Sequence, residues 1–107
     1  MQTDHFTKDV IRTVNKTLEP NEHITNAALG LTGEAGEVAE IVKKAMFQGH
    51  SLNREKIAEE LGDVMFYVAY MADTIGMTLD QIMSQNVTKR RNRYPDGFSV
   101  QKSVNRG

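Results

Sequence analysis

The sequence predicts an all-α fold, a bundle of four to five helices assembled as a homo-oligomer. Three observations carry that expectation. Apolar residues recur at steps of three and four along most of the chain, which is the period of a helix with one face on a core. Prolines and glycines punctuate the boundaries of these runs rather than a series of short strands. One run is apolar around most of its circumference, and a helix of that kind must be covered on most sides. At 107 residues the chain supports one domain with a modest core, too few neighbours to cover such a helix, so further copies of the chain are expected to do so.

The first helix is expected over residues 4–18, where Phe6, Val10, Ile11, Val14 and Leu18 keep helical spacing, with Pro20 and Asn21 ending it. A long second helix follows from Glu22 to Gln48, with Leu31, Ala35, Val38, Val42 and Ala45 as its stripe and Gly49 as its stop. Inside it, Gly30, Gly33 and Gly36 each cost helix stability of about 1 kcal/mol relative to alanine. Such a cluster implies close approach by another helix or a ligand. The third helix is placed from Asn53 to Gly76, with Glu55 favourable in its first turn. Its segment Val64–Ala72 has the local look of a buried strand. Ile57, Ala58, Leu61, Val64, Val68 and Ala72 hold the helical period over a longer window, and helix is preferred. The fourth helix opens on Thr78-Leu79-Asp80-Gln81, a capping box, and packs through Leu79, Ile82 and Met83. It ends near Arg93, because Pro95 restricts Tyr94 to extended geometry. Residues 1–98 are read as the single helical domain and 99–107 as a polar, mobile tail.

Thirteen basic and 14 acidic side chains leave a net charge of −1, which argues against duplex nucleic acid or an anionic membrane as the general partner. There is no cysteine for a disulfide, a thiolate nucleophile or a zinc–thiolate site. No signal-peptide h-region and no membrane-length apolar run are evident, so a cytoplasmic location is expected. His5, His23 and His50 are scattered and read as ordinary surface or loop residues. The Tyr67/Tyr70 pair and the methionines read as packing.

Against that background the acids stand out. Leu31-Thr32-Gly33-Glu34-Ala35-Gly36-Glu37-Val38-Ala39-Glu40 sets carboxylates three residues apart in a small, apolar run. At about 100° per residue, Glu34 flanks the apolar stripe, Glu37 lies roughly 60° further out and Glu40 faces away. On the third helix Glu60 and Asp63 are again three apart, beside Tyr67, Tyr70 and Met71. Crowded, partly buried carboxylates need a compensating cation. Oxygen ligands of this kind suit magnesium or manganese. A solvated acidic edge is the bland alternative.

On the fourth helix, Asn86, Lys89 and Arg93 continue the line of Leu79 and Ile82, so an apolar face turns polar and basic, while Arg90 and Arg91 lie off that line. A basic last turn also complements the helix dipole. That does not account for an asparagine on the packing face. Carboxylates holding a divalent cation beside an amide and two cations suit a polyphosphate.

The three segments GEAGEVAE, AEELGDVMFYV and NVTKRRNRYPDGF, in that order, resemble the MazG family of all-α nucleoside triphosphate pyrophosphohydrolases, over residues 25–98. The family pattern of E-x-x-E, E-x-x-D and a downstream N-x-x-K-x-x-x-R-Y-P-x-G-F falls on Glu34, Glu37, Glu60, Asp63, Asn86, Lys89, Arg93 and Tyr94. The resemblance implies the family's all-α fold and four acids that bind Mg2+, with Mn2+ as a substitute, and that serve catalysis. It implies that Asn86, Lys89, Arg93 and Tyr94 bind substrate. The activity implied is cleavage of an NTP or dNTP to the monophosphate and pyrophosphate by a dimer or tetramer. The competing expectation is a non-catalytic helical oligomer whose acidic groove binds a cation or a basic partner.

Overall fold

The computed structural model describes residues 1–105. It is helical throughout, in the order α1 (Thr3–Arg12), α2 (Pro20–Phe47), α3 (Arg54–Thr74), α4 (Leu79–Arg93) and α5 (Val100–Val104), with no strand among the described residues. Val64–Ala72 is helix, as the longer window requires.

Local chemistry sets the boundaries. Helix α1 stops at Arg12, earlier than its apolar spacing suggests. Thr13 donates its hydroxyl back to Val10 O, and Asn15 Oδ1 accepts from both the N–H and the hydroxyl of Thr17. These local bonds offer the backbone an alternative to the helix. Val14 and Leu18 still turn inward from the connection, half-buried. Pro20 starts α2 rather than ending α1, because a proline in the first turn sacrifices an N–H that has no helical partner. Glu19 and Glu22 close a reciprocal capping box around it. Asn53 Oδ1 caps α3 by accepting from Lys56 N, and Thr78 with Gln81 forms the expected box on α4. Gly49 and Gly76 take φ of 75° and 76°, a left-handed geometry that favours glycine at a helix end. Val100–Val104 forms a single-turn helix, α5, capped by the Ser99 side chain, where a polar tail was expected; residues 106–107 of that tail lie outside the described residues.

The core sits at one end. Val10, Ala27, Ala69, Tyr70, Ala72 and Leu79 are buried together, with Phe6, Phe66, Tyr67 and Ile82 among the side chains packed against them. The N-terminal half of α2, the C-terminal half of α3, α1 and the start of α4 therefore make the bundle. Beyond that core, α2 and α3 continue as a two-helix arm. Its exposed side carries Met46, Phe47, Leu61 and Met65, at 69%, 82%, 49% and 56% exposure. Ala35 of the expected stripe is exposed and Val42 is 42% exposed, because the inward line of α2 runs from buried Ala27 through half-buried Leu31, Glu34, Val38 and Ile41.

Of the three α2 glycines, one has its close neighbour within the chain. A Cβ on Gly30 would clash with the Tyr67 ring, whereas Gly33 and Gly36 face open space. Gly30→Ala is accordingly expected to destabilise the fold by about 1–3 kcal/mol, the usual cost of overpacking, read as a lower denaturation midpoint. An unchanged midpoint would mean that Tyr67 does not rest on this backbone.

Candidate active site

Where the core ends, the seam between α2 and α3 becomes acidic. Glu34 lies on the inner face of α2 between Leu31 and Val38, half-buried rather than on the flank. Opposite it, Glu60 is buried and Asp63, one turn further along α3, is exposed. One carboxylate oxygen from each of Glu34, Glu60 and Asp63 lies within 4.8 Å of the others. Glu37 is exposed and outside that group, although its charge is felt within it. Glu40 takes no part; it is half-buried on the side of α2 and pairs with Lys44 at 3.9 Å.

This crowding has an electrostatic signature. The carboxyl of Glu34 is held above its usual range, first by a hydrogen bond shared with Glu60, then by burial, then by the charges of Asp63, Glu60 and Glu37. Carboxylates this close repel one another when ionised, so the cluster favours positive charge in its midst. Lys56 supplies some. Its ammonium reaches Glu60 at 3.4 Å and Glu59 at 3.5 Å. The hydrogen bond with Glu60 and the charges of Glu59 and Glu60 hold that ammonium above its ordinary pKa. Lys56 was not singled out from the sequence, although its spacing of four from Glu60 marks a same-face pair.

Three hard oxygen ligands converging from two helices fit a divalent cation such as magnesium or manganese, and the absence of sulfur and imidazole in the cluster fits neither zinc nor copper preferences.

The seam stays polar on the core side. About 10 Å along α3 from Asp63, at 1.5 Å per residue, the Tyr70 hydroxyl meets His23 Nδ1 at 2.6 Å, and Asn26 Nδ2 donates to it at 3.4 Å. His23 is therefore a half-buried helical residue, not a surface or loop histidine. It borders a cavity of about 290 Å³ shared with Ile11, Lys16, Tyr70 and Asp73.

The basic set on α4 is placed differently. Asn86 and Lys89 are exposed, and Arg93 and Tyr94 are half-buried. Asn86 Oδ1 accepts from Arg90 Nε at 2.7 Å, so Arg90 turns toward the asparagine rather than away from it. The Tyr94 ring lies 5.5 Å from that of Phe98. Among the described residues, no ion pair or side-chain hydrogen bond joins Asn86, Lys89, Arg93 or Tyr94 to the carboxylate cluster.

The family model described as MazG nucleotide pyrophosphohydrolase domain matches residues 22–98, from the first turn of α2 to Phe98. The chain belongs to the MazG family. Membership places it, at family level, among pyrophosphohydrolase-type hydrolases acting on nucleotides, which typically use a divalent metal. The Gene 37 protein of Mycobacterium phage L5 is 36% identical over 80 residues, covering 71% of this chain and 70% of the phage protein. No solved structure matches. No described helix is long and apolar enough to cross a membrane.

Proposed function

We propose that this MazG-family chain is a magnesium-dependent pyrophosphohydrolase that cleaves an NTP or dNTP to the monophosphate and pyrophosphate. The observation that carries the reading is the convergence of Glu34, Glu60 and Asp63 within 4.8 Å. They are three of the four acids that the E-x-x-E and E-x-x-D pattern marks, Glu37 being the fourth. In this reading they hold the cation, with Glu37 at its edge. A divalent ion held there would neutralise the charge on phosphate oxygens and make the phosphorus more open to attack.

The protein side chains do the rest. A carboxylate of the cluster accepts the proton of the attacking water. Lys89 and Arg93 hold the phosphate charge that shifts to the departing pyrophosphate, Arg93 through its paired N–H groups. Asn86 and Tyr94 complete the polar surface for the substrate. The protein works in the cytoplasm, as a dimer or larger homo-oligomer built on the open arm of α2 and α3. Nucleotide-pool housekeeping fits this chemistry.

The decisive measurement is pyrophosphate release across a panel of NTPs and dNTPs. Turnover is expected with Mg2+, to be retained in Mn2+ and poor in Ca2+, which takes more ligands at longer distances. Silence across the whole panel would favour the alternative, a non-catalytic oligomer whose acidic groove binds a cation or a basic partner. Metal binding has its own readout. Because the acids repel one another when empty, saturating Mg2+ should raise the melting temperature by mass action. An unchanged value would count against a carboxylate metal site. Light scattering at micromolar concentration is expected to give at least the dimer mass.

A further inference from the structure

The carboxylate cluster carries its own cation. Lys56 lies one turn before Glu60 on the same face of α3, and its ammonium reaches Glu60 Oε1 at 3.4 Å and Glu59 Oε2 at 3.5 Å. The two contacts differ in kind. Glu59 is exposed, and an exposed ion pair contributes little. Glu60 is buried, and a carboxylate withdrawn from water needs a compensating charge. The same carboxylate is shared with Glu34 and Asp63, one oxygen of each lying within 4.8 Å of the others. Helix chemistry does not ask for a lysine here. Lys56 sits in the first turn of α3, where its backbone N–H donates to Asn53 Oδ1, and a cation at that end opposes the helix dipole. The acids account for it instead. Its side chain is also 48% exposed, so the ammonium can withdraw into solvent without opening the core.

We propose that Lys56 is the resident counter-ion of the carboxylate cluster: a divalent cation binds by displacing its ammonium from Glu60, and Lys56 thereby sets the affinity of the site and its preference for divalent over monovalent ions. The inference rests on the metal-binding part of the function proposed above and adds what the arriving ion competes with. Charge decides that competition. A potassium or sodium ion carries the same charge as the ammonium and gains nothing by replacing it. The lysine is tethered beside its carboxylate, which gives it a high effective concentration there. A divalent ion brings twice the charge to Glu34, Glu60 and Asp63 together, and these hard oxygen donors suit it. Lys56 therefore keeps Glu60 compensated in the metal-free protein and yields it only to an ion of higher charge.

Calorimetry of Mg2+ binding to the metal-free full chain tests the proposal without recourse to turnover. In tetramethylammonium chloride, whose cation is too large to enter the cluster, Lys56→Gln should bind Mg2+ about fivefold more tightly than wild type, since a nearby positive charge has been removed. Lys56→Met keeps the apolar stem and should match it, whereas Lys56→Arg keeps the charge and should show no gain. Lys44→Gln is the control, because it removes an equal charge from the pair with Glu40. Lys44 lies about 15 Å along α2 from Glu34, beyond the screening length of about 10 Å in roughly 0.1 M salt, and its loss should not tighten binding. Exchanging the salt for potassium chloride at equal ionic strength should leave wild-type affinity unchanged and weaken Lys56→Gln, as K+ takes the vacated place. A gain below about twofold in Lys56→Gln, a loss of affinity, or an equal gain in Lys44→Gln overturns the proposal. Equal affinity of Lys56→Gln in the two salts overturns the selectivity it assigns to Lys56. A wild type that does not bind Mg2+ removes the metal reading itself. One that binds but is unmoved by the loss of Lys56 leaves that reading standing and sinks this inference alone.

Discussion

Glu34→Gln is expected to lower turnover by on the order of 10²-fold or more, about 2.7 kcal/mol of transition-state stabilisation, while raising the stability of the metal-free protein. The two effects share one cause. Glu34 lies where Glu60, Asp63 and Glu37 add their negative charge, and these neighbours hold its carboxyl above the usual range. A cation turns that repulsion into binding energy; without one it strains the fold. Glutamine keeps the shape and polarity and removes the charge. If Glu34 is a ligand at the reacting centre, as the proposed function has it, its loss should depress kcat, since the charge it helps to place matters most in the transition state. Glu40, outside the cluster and paired with Lys44, is the control within the same helix. Glu40→Gln should stay within about 0.5 kcal/mol in stability and leave turnover intact. Equal damage at Glu34 and Glu40 would mean that α2 is phased wrongly, and two neutral results would reduce the acids to a solvated edge.

The same carboxyl sets a pH dependence of known sign. Its folded pKa lies above the unfolded value, so the folded state holds that proton more tightly. Its stabilising contribution is complete below the ordinary carboxylate range and is lost as pH rises through the raised value. Metal-free wild type should therefore lose stability over that window, and Glu34→Gln should flatten the loss. Lys56 contributes in a different window. Its ammonium is held above the usual value by Glu60 and Glu59, so its share persists at neutral pH and disappears only in strong alkali. Chemical denaturation of both proteins without metal, from acid to neutral pH, checks the slope. A wild type and variant with parallel profiles would contradict a Glu34 carboxyl held above its usual range.

What the sequence made legible follows the strength of its local signals. Long periodic runs and explicit caps placed α3 and α4 to within a residue or two, since Asn53, Thr78 and Gly76 each satisfy backbone groups that a helix end leaves open. The end of α1 was misread because Val14 and Leu18 keep helical spacing while pointing inward from a turn. Periodicity alone does not register the hydrogen bonds of Asn15. Proline was ambiguous in the same way, as its position relative to the cap decides whether it closes one helix or opens the next. In the site, the pairing of Glu34 with Glu60 and Asp63 followed from spacing. The position of Glu34 on the buried line did not, because a carboxylate in a seam is recognised only when the facing helix and Lys56 are in place. His23 was hidden for a related reason: its partner Tyr70 is 47 residues away.

Arg93→Lys is expected to cost turnover about tenfold or more, although the charge is unchanged. Arginine presents two parallel N–H donors to a phosphate, whereas lysine offers a point charge on a flexible stem. A tenfold loss corresponds to about 1.4 kcal/mol, a magnitude suited to one lost charge-assisted bond. The neighbours provide the comparison, because α4 carries four cations in its last turns and only their directions distinguish them. Arg91 is exposed and off the line of Asn86, Lys89 and Arg93, so Arg91→Lys and Arg91→Ala should leave both kcat and KM unaltered. Arg90 is intermediate: through its bond to Asn86 Oδ1 it positions an amide, and Arg90→Ala should raise KM modestly with little change in kcat. Lys89→Ala removes a cation outright and, in the proposed function, should lower kcat/KM at least as much as Arg93→Lys. Salt separates this pattern from a diffuse field. Non-specific attraction between a basic helix end and a polyphosphate weakens with ionic strength for all four residues alike. A bidentate contact in a shielded site survives moderate salt. Four equal losses that vanish together in salt would show that α4 only attracts the nucleotide. Unequal losses, largest at Lys89 and Arg93 and persistent in salt, would mean that these two side chains hold the phosphates through the reaction.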